Sequence, residues 1–268
     1  MTTTTHISDP ANDRPVNDRP VNERQSHGLA VQCTDLTKVY DTGGASVRAV
    51  DGVSLGIESG RFTTIMGPSG SGKSTLMHCL AGLDPVTSGS VWLGHLELSS
   101  LSDRDLTRAR RERVGFIFQS FNLLPMLTAK QNILLPFELA GREPDWPWFD
   151  AVVEVLGVSD RLAHRSAHLS GGERQRIAVA RALVTRPTVI FADEPTGNLD
   201  SASSAELLGF LRTSVDELGQ TVIMVTHDPV AAAYSDRAVL LADGRLSGEL
   251  LDPTVGSVVN AVQRTGRI

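Results

Sequence analysis

Apolar and polar positions follow two periods along this chain. Ala30–Leu36 and Ser46–Leu55 carry apolar residues at strand spacing around a Gly-rich turn, and Phe62–Met66 is a short β-rich run that stops at Gly67. Lys73–Leu80 has helical character, so this stretch reads as strand, glycine loop, helix. Residues 100–165 read mostly helical. Ser102-x-x-Asp105 and Thr128-x-x-Gln131 have helix-capping spacing. Pro136 is expected to kink or interrupt the helix it falls in. A further helix is expected from Trp148 to Leu156, ended by Gly157. Alternation resumes with a helix over Gly172–Val184, a buried strand over Thr188–Ala192, a helix over Ala205–Leu218 and a strand over Thr221–Thr226. Strands alternating with helices imply an α/β fold. Its core would be a mainly parallel sheet covered on both faces, with an antiparallel β portion ahead of it and a helical block inserted at about 100–168.

Residues 1–28 lack this patterning. Four threonines open the segment and Asn-Asp-Arg-Pro-Val occurs twice, at Asn12–Val16 and Asn17–Val21. So little apolar surface cannot offset the entropy of ordering, and the expectation is a disordered tail ahead of a domain spanning 29–268. Composition narrows the function classes. The 268 residues are 41% hydrophobic, enough for a sizeable core. A net charge of −6 argues against general nucleic-acid binding. The two cysteines, Cys33 and Cys79, are too far apart for a zinc motif. His78 beside Cys79 is not a metal pair, because neighbours on a helix point in different directions. No apolar run is long enough to span a bilayer and no secretory leader is recognisable, so a membrane role has to come through a partner.

The chemistry begins at Gly67-Pro68-Ser69-Gly70-Ser71-Gly72-Lys73-Ser74-Thr75, a P-loop in the required strand–helix context. Its glycines let backbone N–H groups wrap a phosphate, and the following helix presents its positive end. Lys73 would reach the β- and γ-phosphates of ATP, and the Ser74 hydroxyl would ligate Mg²⁺. Downstream, Thr188–Ala192 leads into Asp193-Glu194. Asp193 suits Mg²⁺ coordination, and Glu194 suits orienting and deprotonating the attacking water. A second glycine-containing helix start, Leu169-Ser170-Gly171-Gly172-Glu173, combines capping-box spacing with two glycines that weaken a first turn. Such a start exposes backbone amides to an anion, and it would complete the phosphate site of another subunit.

Leu169–Glu173, together with the P-loop and the acidic strand end in this order, resembles the nucleotide-binding subunit of ABC transporters over about residues 29–250. The resemblance implies a P-loop NTPase fold and ATP hydrolysis. It also implies further roles: Tyr40 stacking on adenine, Gln119 touching Mg²⁺ and facing the permease, Asn198-Leu199-Asp200 at a dimer interface, and His227 contacting the γ-phosphate. Two copies would associate head to tail, with Ser170, Gly171 and Gly172 of one covering the nucleotide on the Gly67–Thr75 loop of the other. An integral-membrane permease would dock on Gln119–Gly141, which places the subunit in the cytoplasm on the inner face of the membrane. Phe118–Pro125 and Asp193–Asp200 resemble the group of MacB-like exporters, lipoprotein-release ATPases and FtsE, which pair with FtsX-like permeases. An ATP-gated regulator that moves no substrate fits the same motifs. A soluble repair or translation ATPase does not, because the coiled-coil insertions or second cassette of such proteins are missing. Ser166 and His168 depart from the proline and glutamine common at those positions.

Overall fold

Strand pairing sorts the chain into two sheets. The computed structural model describes residues 28–41 and 43–265, so the expected disorder of the tail falls on residues outside those described. The elements in order are β1 (Leu29–Asp41), β2 (Ser46–Glu58), β3 (Phe62–Met66), α1 (Lys73–Leu80), β4 (Ser88–Leu93), β5 (Leu96–Glu97), α2 (Asp103–Arg113), β6 (Val114–Phe118), α3 (Ala129–Ala140), α4 (Trp146–Val155), α5 (Gly171–Leu183), β7 (Val189–Asp193), α6 (Ser201–Asp216), β8 (Val222–Val225), α7 (Pro229–Ala232), β9 (Arg237–Ala242), β10 (Arg245–Leu251) and α8 (Val255–Thr265). One sheet is antiparallel, in the order β2-β1-β4-β5; the other runs β10-β9-β3-β8-β7-β6. In the second sheet every pair is parallel except the edge hairpin β9–β10. This is the α/β P-loop architecture expected.

The central strands are buried on both faces, and their side chains divide between two cores by period two. Val189 and Phe191 of β7, with Ile223 and Val225 of β8, join α1 and the antiparallel sheet through Leu76, Leu80, Val31, Leu36 and Ile57. Ile190, Ala192, Val222 and Met224 face the other way, onto Ile133 and Phe137 of α3, Phe149 and Val152 of α4, Ile177 of α5 and Leu211 of α6.

Residues 100–165 are mostly helical as expected, with one strand that was not anticipated and one expectation, at Pro136, to correct. The segment is not helical throughout: Val114–Phe118 is a strand in register with β7, from Val114↔Val189 to Phe118↔Asp193. Five residues of this kind satisfy a buried strand and a buried helical turn equally well, and the strand wins through its ladder to β7. Pro136 does not interrupt its helix; α3 runs on to Ala140. It is fastened at both ends, by the Thr128–Gln131 capping box and by Gly141 in the left-handed region, while Ile133, Leu134 and Phe137 are buried. Strands β4, β5, β9 and β10 were also not anticipated.

Buried Asn132 on α3 ties this region together. Its amide oxygen accepts from Leu124 N at 2.8 Å, and its Nδ2 donates to Ser166 Oγ at 2.8 Å. Ser166, where proline is common, is thus a buried hydrogen-bond partner.

Helix α4 begins two residues earlier than expected, and the reason lies in Trp146-Pro147-Trp148. Asp145 caps it through Trp148 N, and Pro147 occupies a first-turn position where no amide is needed. Trp148 Nε1 donates at 3.1 Å to Leu183 O, a carbonyl at the end of α5 that also accepts from Arg186 N at 3.0 Å. The Arg186 guanidinium lies 4.6 Å from the Trp148 ring centroid and pairs with Asp145 at 3.0 Å. Trp146 packs edge-on to Phe149 at 5.7 Å, with Lys130 of α3 5.1 Å from its centroid. The two indoles therefore fasten α4 to α3 on one side and to the end of α5 on the other. Trp148→Phe should cost about 1 kcal/mol by removing one of the two donors to Leu183 O, and Trp148→Ala about 3 kcal/mol by emptying the ring's site. Urea denaturation measures both, and an unchanged midpoint for Trp148→Phe contradicts the cap.

Candidate nucleotide site

The carboxyl ends of β3, β6, β7 and β8 carry the predicted residues to one edge of the parallel sheet, which is where ligands bind in such sheets. Gly67–Gly72 leaves β3 and turns into α1. Gly72, the residue before the helix, has φ 96°, and a Cβ there would stand 2.1 Å from Ala49 O. Only glycine closes this turn. Having no side chain, Gly72 also leaves the first-turn amides of α1 uncapped, and no acidic residue occupies that turn. Ser71 Oγ is buried without a hydrogen-bond partner. Uncapped amides beside a buried lysine form an anion cradle, so the loop fits a polyphosphate.

Lys73 is 8% exposed, and its Nζ donates to Pro68 O at 2.8 Å. Burial pushes its ammonium below the usual lysine range, against the pull of Glu194 and Asp193. Ser74 Oγ lies 3.3 Å from Asp193 Oδ1. Burial also pushes the Asp193 carboxyl above its ordinary range, opposed by His78, Ser74 and Lys73. The loop lysine and the strand-end carboxylates thus partly neutralise each other in a poorly solvated space.

Adjacent strand residues point to opposite faces, yet Asp193 and Glu194 serve one site. Glu194 has φ 44°, out of the strand conformation, with its N–H held by Val225 O at 2.9 Å and its carbonyl accepting from Gly197 N at 3.0 Å. Its carboxylate oxygen Oε1 then lies 2.9 Å from His227 Nδ1, just beyond β8. Gln119, directly after β6, donates from Nε2 to Asn198 Oδ1 at 3.3 Å, and its carbonyl accepts from Asn198 Nδ2 at 3.4 Å. A Cβ at Gly197 would meet Gln119 Nε2 at 2.6 Å, so this glycine makes room for the glutamine.

Tyr40 comes from the other sheet, near the end of β1. Its hydroxyl donates to Asp84 and reaches the Thr75 hydroxyl, and Lys38 Nζ lies 4.8 Å from its ring centroid. Among the described residues Ser170, Gly171 and Gly172 make no hydrogen bond to the loop. They open α5, where Ser170 and Glu173 complete a reciprocal capping box. The short connection 184–188 returns α5 to β7, so α5 runs antiparallel to the strands and starts at their carboxyl side. From Ala182, which packs on Gly115, the helix reaches back about 18 Å to Ser170, while β6 runs only about 10 Å past that point. The helix start therefore projects beyond the sheet edge and is not folded over its own loop.

His78 is the residue near the site that the sequence argument set aside. It stands one turn along α1 from Ser74, the spacing that puts two side chains on one helix face, and its Nε2 is 3.8 Å from Asp193 Oδ2. Cys79, its neighbour, is buried elsewhere with its thiol pushed up to about 12.

The ABC transporter family model matches residues 50–197, over half of the chain. The chain belongs to the ABC transporter ATPase family, in its MacB-like group. An uncharacterized ABC transporter ATP-binding protein of Thermotoga maritima is 44% identical over 81% of this chain and 94% of its own length. The macrolide export ATP-binding/permease protein MacB of Bdellovibrio bacteriovorus is 45% identical over 80% of this chain; the chain spans about a third of that protein's length. The dimeric post-hydrolysis structure of the ATP-binding cassette MJ0796, bound to ADP and Pi, superposes with a TM-score of 0.74 at 37% identity, covering 83% of this chain and 98% of that one. This ABC ATPase binds nucleotide and hydrolyses ATP. Among the described residues no helix is long and apolar enough to cross a membrane.

In this ABC ATPase the start of α5 carries its own pH signature. Arg161 lies 2.5 Å from Glu173 and the Ser170 N–H donates to the same carboxylate; together they hold its pKa down at about 2. A carboxylate depressed on folding stabilises the protein above its unfolded pKa, and that contribution fades as pH falls. Glu173→Gln should be about 1 kcal/mol less stable at pH 7, allowing for solvent screening. The gap should narrow below about pH 4.3, the unfolded value, and close toward pH 2. Urea midpoints of both proteins across that range give the answer; a gap independent of pH contradicts the ionic cap.

Proposed function

We propose that this ABC ATPase energises an integral-membrane permease of the exporter or FtsX-like kind, working as a homodimer closed by two shared ATP molecules. The observation that carries this is the meeting of the loop with the strand end: Ser74 Oγ is 3.3 Å from Asp193 Oδ1, with Lys73 buried alongside and Glu194 against His227. In this reading the loop amides of Gly67–Thr75 and Lys73 hold the phosphates, and Tyr40 stacks on the adenine. Ser74, Asp193 and Gln119 would hold Mg²⁺, which would supply neutralisation of the phosphate charge. Glu194 orients the attacking water and takes its proton, the single base that a largely dissociative phosphoryl transfer requires. His227, fixed by Glu194, contacts the γ-phosphate.

Each site is completed from outside. In this reading the start of α5 projects past its own sheet edge, and the amides of Gly171 and Gly172, beside the Ser170 hydroxyl, meet the nucleotide of a second copy. Two such contacts related by a twofold axis form an isologous interface that closes with ATP and opens after hydrolysis.

The permease reading has a surface to match. A cavity of about 480 Å³ lies between α2, β6, α3 and α5, lined by Leu83, Phe116, Phe118, Leu135, Pro136 and Leu139, with Arg110 and Arg111 at its side. It borders the segment that follows Gln119, so a docked permease helix would report directly to the site. The subunit then sits peripherally on the inner face of the membrane.

Glu194→Gln should bind ATP with near wild-type affinity, lose at least about a hundredfold in kcat and accumulate an ATP-bound dimer in size-exclusion chromatography. Wild-type steady-state hydrolysis in that variant rules Glu194 out as the base. Ser170→Arg should bind nucleotide as a monomer and fail to dimerise in the Glu194→Gln background. A dimer of normal retention volume would remove the shared-site arrangement.

A further inference from the structure

Arg181, near the end of α5, carries a guanidinium that no part of the proposed mechanism uses. Nη1 donates to Asn122 O at 2.6 Å and Nη2 to Phe121 O at 2.8 Å. Among the described residues it pairs with no carboxylate. Burial pushes it below the usual arginine range. A half-buried cation satisfied by carbonyls alone gains no ion pair for the water it loses, so its placement calls for a reason.

The reason lies in the backbone it holds. Phe121 and Asn122 have φ 57° and 48°, two consecutive non-glycine residues in the left-handed region. They reverse the chain directly after Gln119, with Phe121 N returning to Phe118 O at 3.0 Å. This turn brings both carbonyls to one planar fork, a geometry that a lysine ammonium cannot reproduce. Gln119 is thus held from two sides, by Asn198 through its amide and backbone carbonyl, and by Arg181 through the turn that follows it. The same helix α5 begins at Ser170, about 16 Å away along a rigid axis. Phe118, Asn122 and Arg181 also line the cavity between α2, β6, α3 and α5.

We propose that Arg181 is a positioning residue for Gln119, gripping the Phe121–Asn122 turn so that the Ser170 end of α5 and Gln119 shift as one body. Closure of a partner copy on Ser170, or a helix entering the cavity, then moves Gln119 toward or away from the phosphates. The proposal rests on the reading that Gln119 acts at the nucleotide.

The test is a double-mutant cycle on the full chain, scored by kcat and KM for Mg-ATP, by the affinity of a fluorescent ATP analogue and by thermal melting. Arg181→Lys should leave KM, analogue affinity and melting near wild type and lower kcat about tenfold, the scale of a small misplacement. Gln119→Ala should lower kcat by at least as much. The double variant should match Gln119→Ala within about twofold, because the second change acts only through the first. Asn122→Gly, which takes the left-handed conformation without strain, should restore part of the kcat of Arg181→Lys. Wild-type kcat in Arg181→Lys beside an impaired Gln119→Ala overturns the positioning role alone, as do losses that multiply in the double variant. An active Gln119→Ala overturns the reading of Gln119 and this proposal with it. Early melting of Arg181→Lys with no recovery of kcat from Asn122→Gly marks a merely structural contact and overturns it too.

Discussion

The Lys73 ammonium is buried with one carbonyl, Pro68 O, as its hydrogen-bond acceptor among the described residues, and it faces the carboxylates of Asp193 and Glu194. A buried cation with two donors to spare is stable only where negative charge surrounds it. Much of the architecture follows from supplying that charge at the right distance. Parallel β3 and β7, each adjacent to β8, set the loop and the acidic strand end on the same edge. Glu194 leaves the strand conformation so that the second carboxylate joins the first. The partial neutralisation leaves room for a polyphosphate, whose charge the two carboxylates alone would repel. In the proposed mechanism a divalent cation would resolve that repulsion, and the same edge offers Ser74 and Asp193 side by side to hold it.

What could be read from the sequence was whatever is local. The loop Gly67–Thr75, the acidic pair after its strand and the capping boxes at Thr128 and Ser170 are set by residues within a few positions of one another, and the structure has each of these elements in place. What could not be read depends on distant pairing. Val114–Phe118 is a strand only because β7 is there to receive it. Pro136 is tolerated because the capping box, Gly141 and the buried face of α3 hold the helix regardless. The role of Trp146-Pro147-Trp148 requires Leu183 and Arg186, more than thirty residues on. The spacing of His78 from Ser74 is local and shows one shared helix face, but its approach to Asp193 depends on where β7 ends.

The signature-like helix start shows a different limit. Its capping box accounts fully for Ser170 and Glu173 within one chain, so neither residue requires a second copy. The two glycines gain this helix start nothing locally, and the proposed second copy is what would use them. The geometry adds the missing part: α5 is longer than the strands it packs on, and the excess projects on the nucleotide side. A helix start whose one carboxylate is paired with Arg161, and which is well capped and held clear of its own loop, is suited to meeting another molecule's phosphates without distorting its own site.

Coupling between the nucleotide and a membrane partner needs a rigid body touching both. α5 qualifies on packing. It carries Ser170 at one end, lies against β6 so tightly that Gly115 has no room for a side chain, and is fastened at its far end by Trp148 to α4 and by Arg181 to the Gln119 turn. The cavity opens between α5 and α3, beside that turn. Packed cores do not deform continuously, so a wedge entering the cavity must displace α3 and α4 against the sheet as a block, with α5 taking up the motion. On the proposed reading, Gln119, caught between Asn198 on the sheet side and the Arg181 turn on the helix side, is the point at which that displacement would become a change at the phosphates.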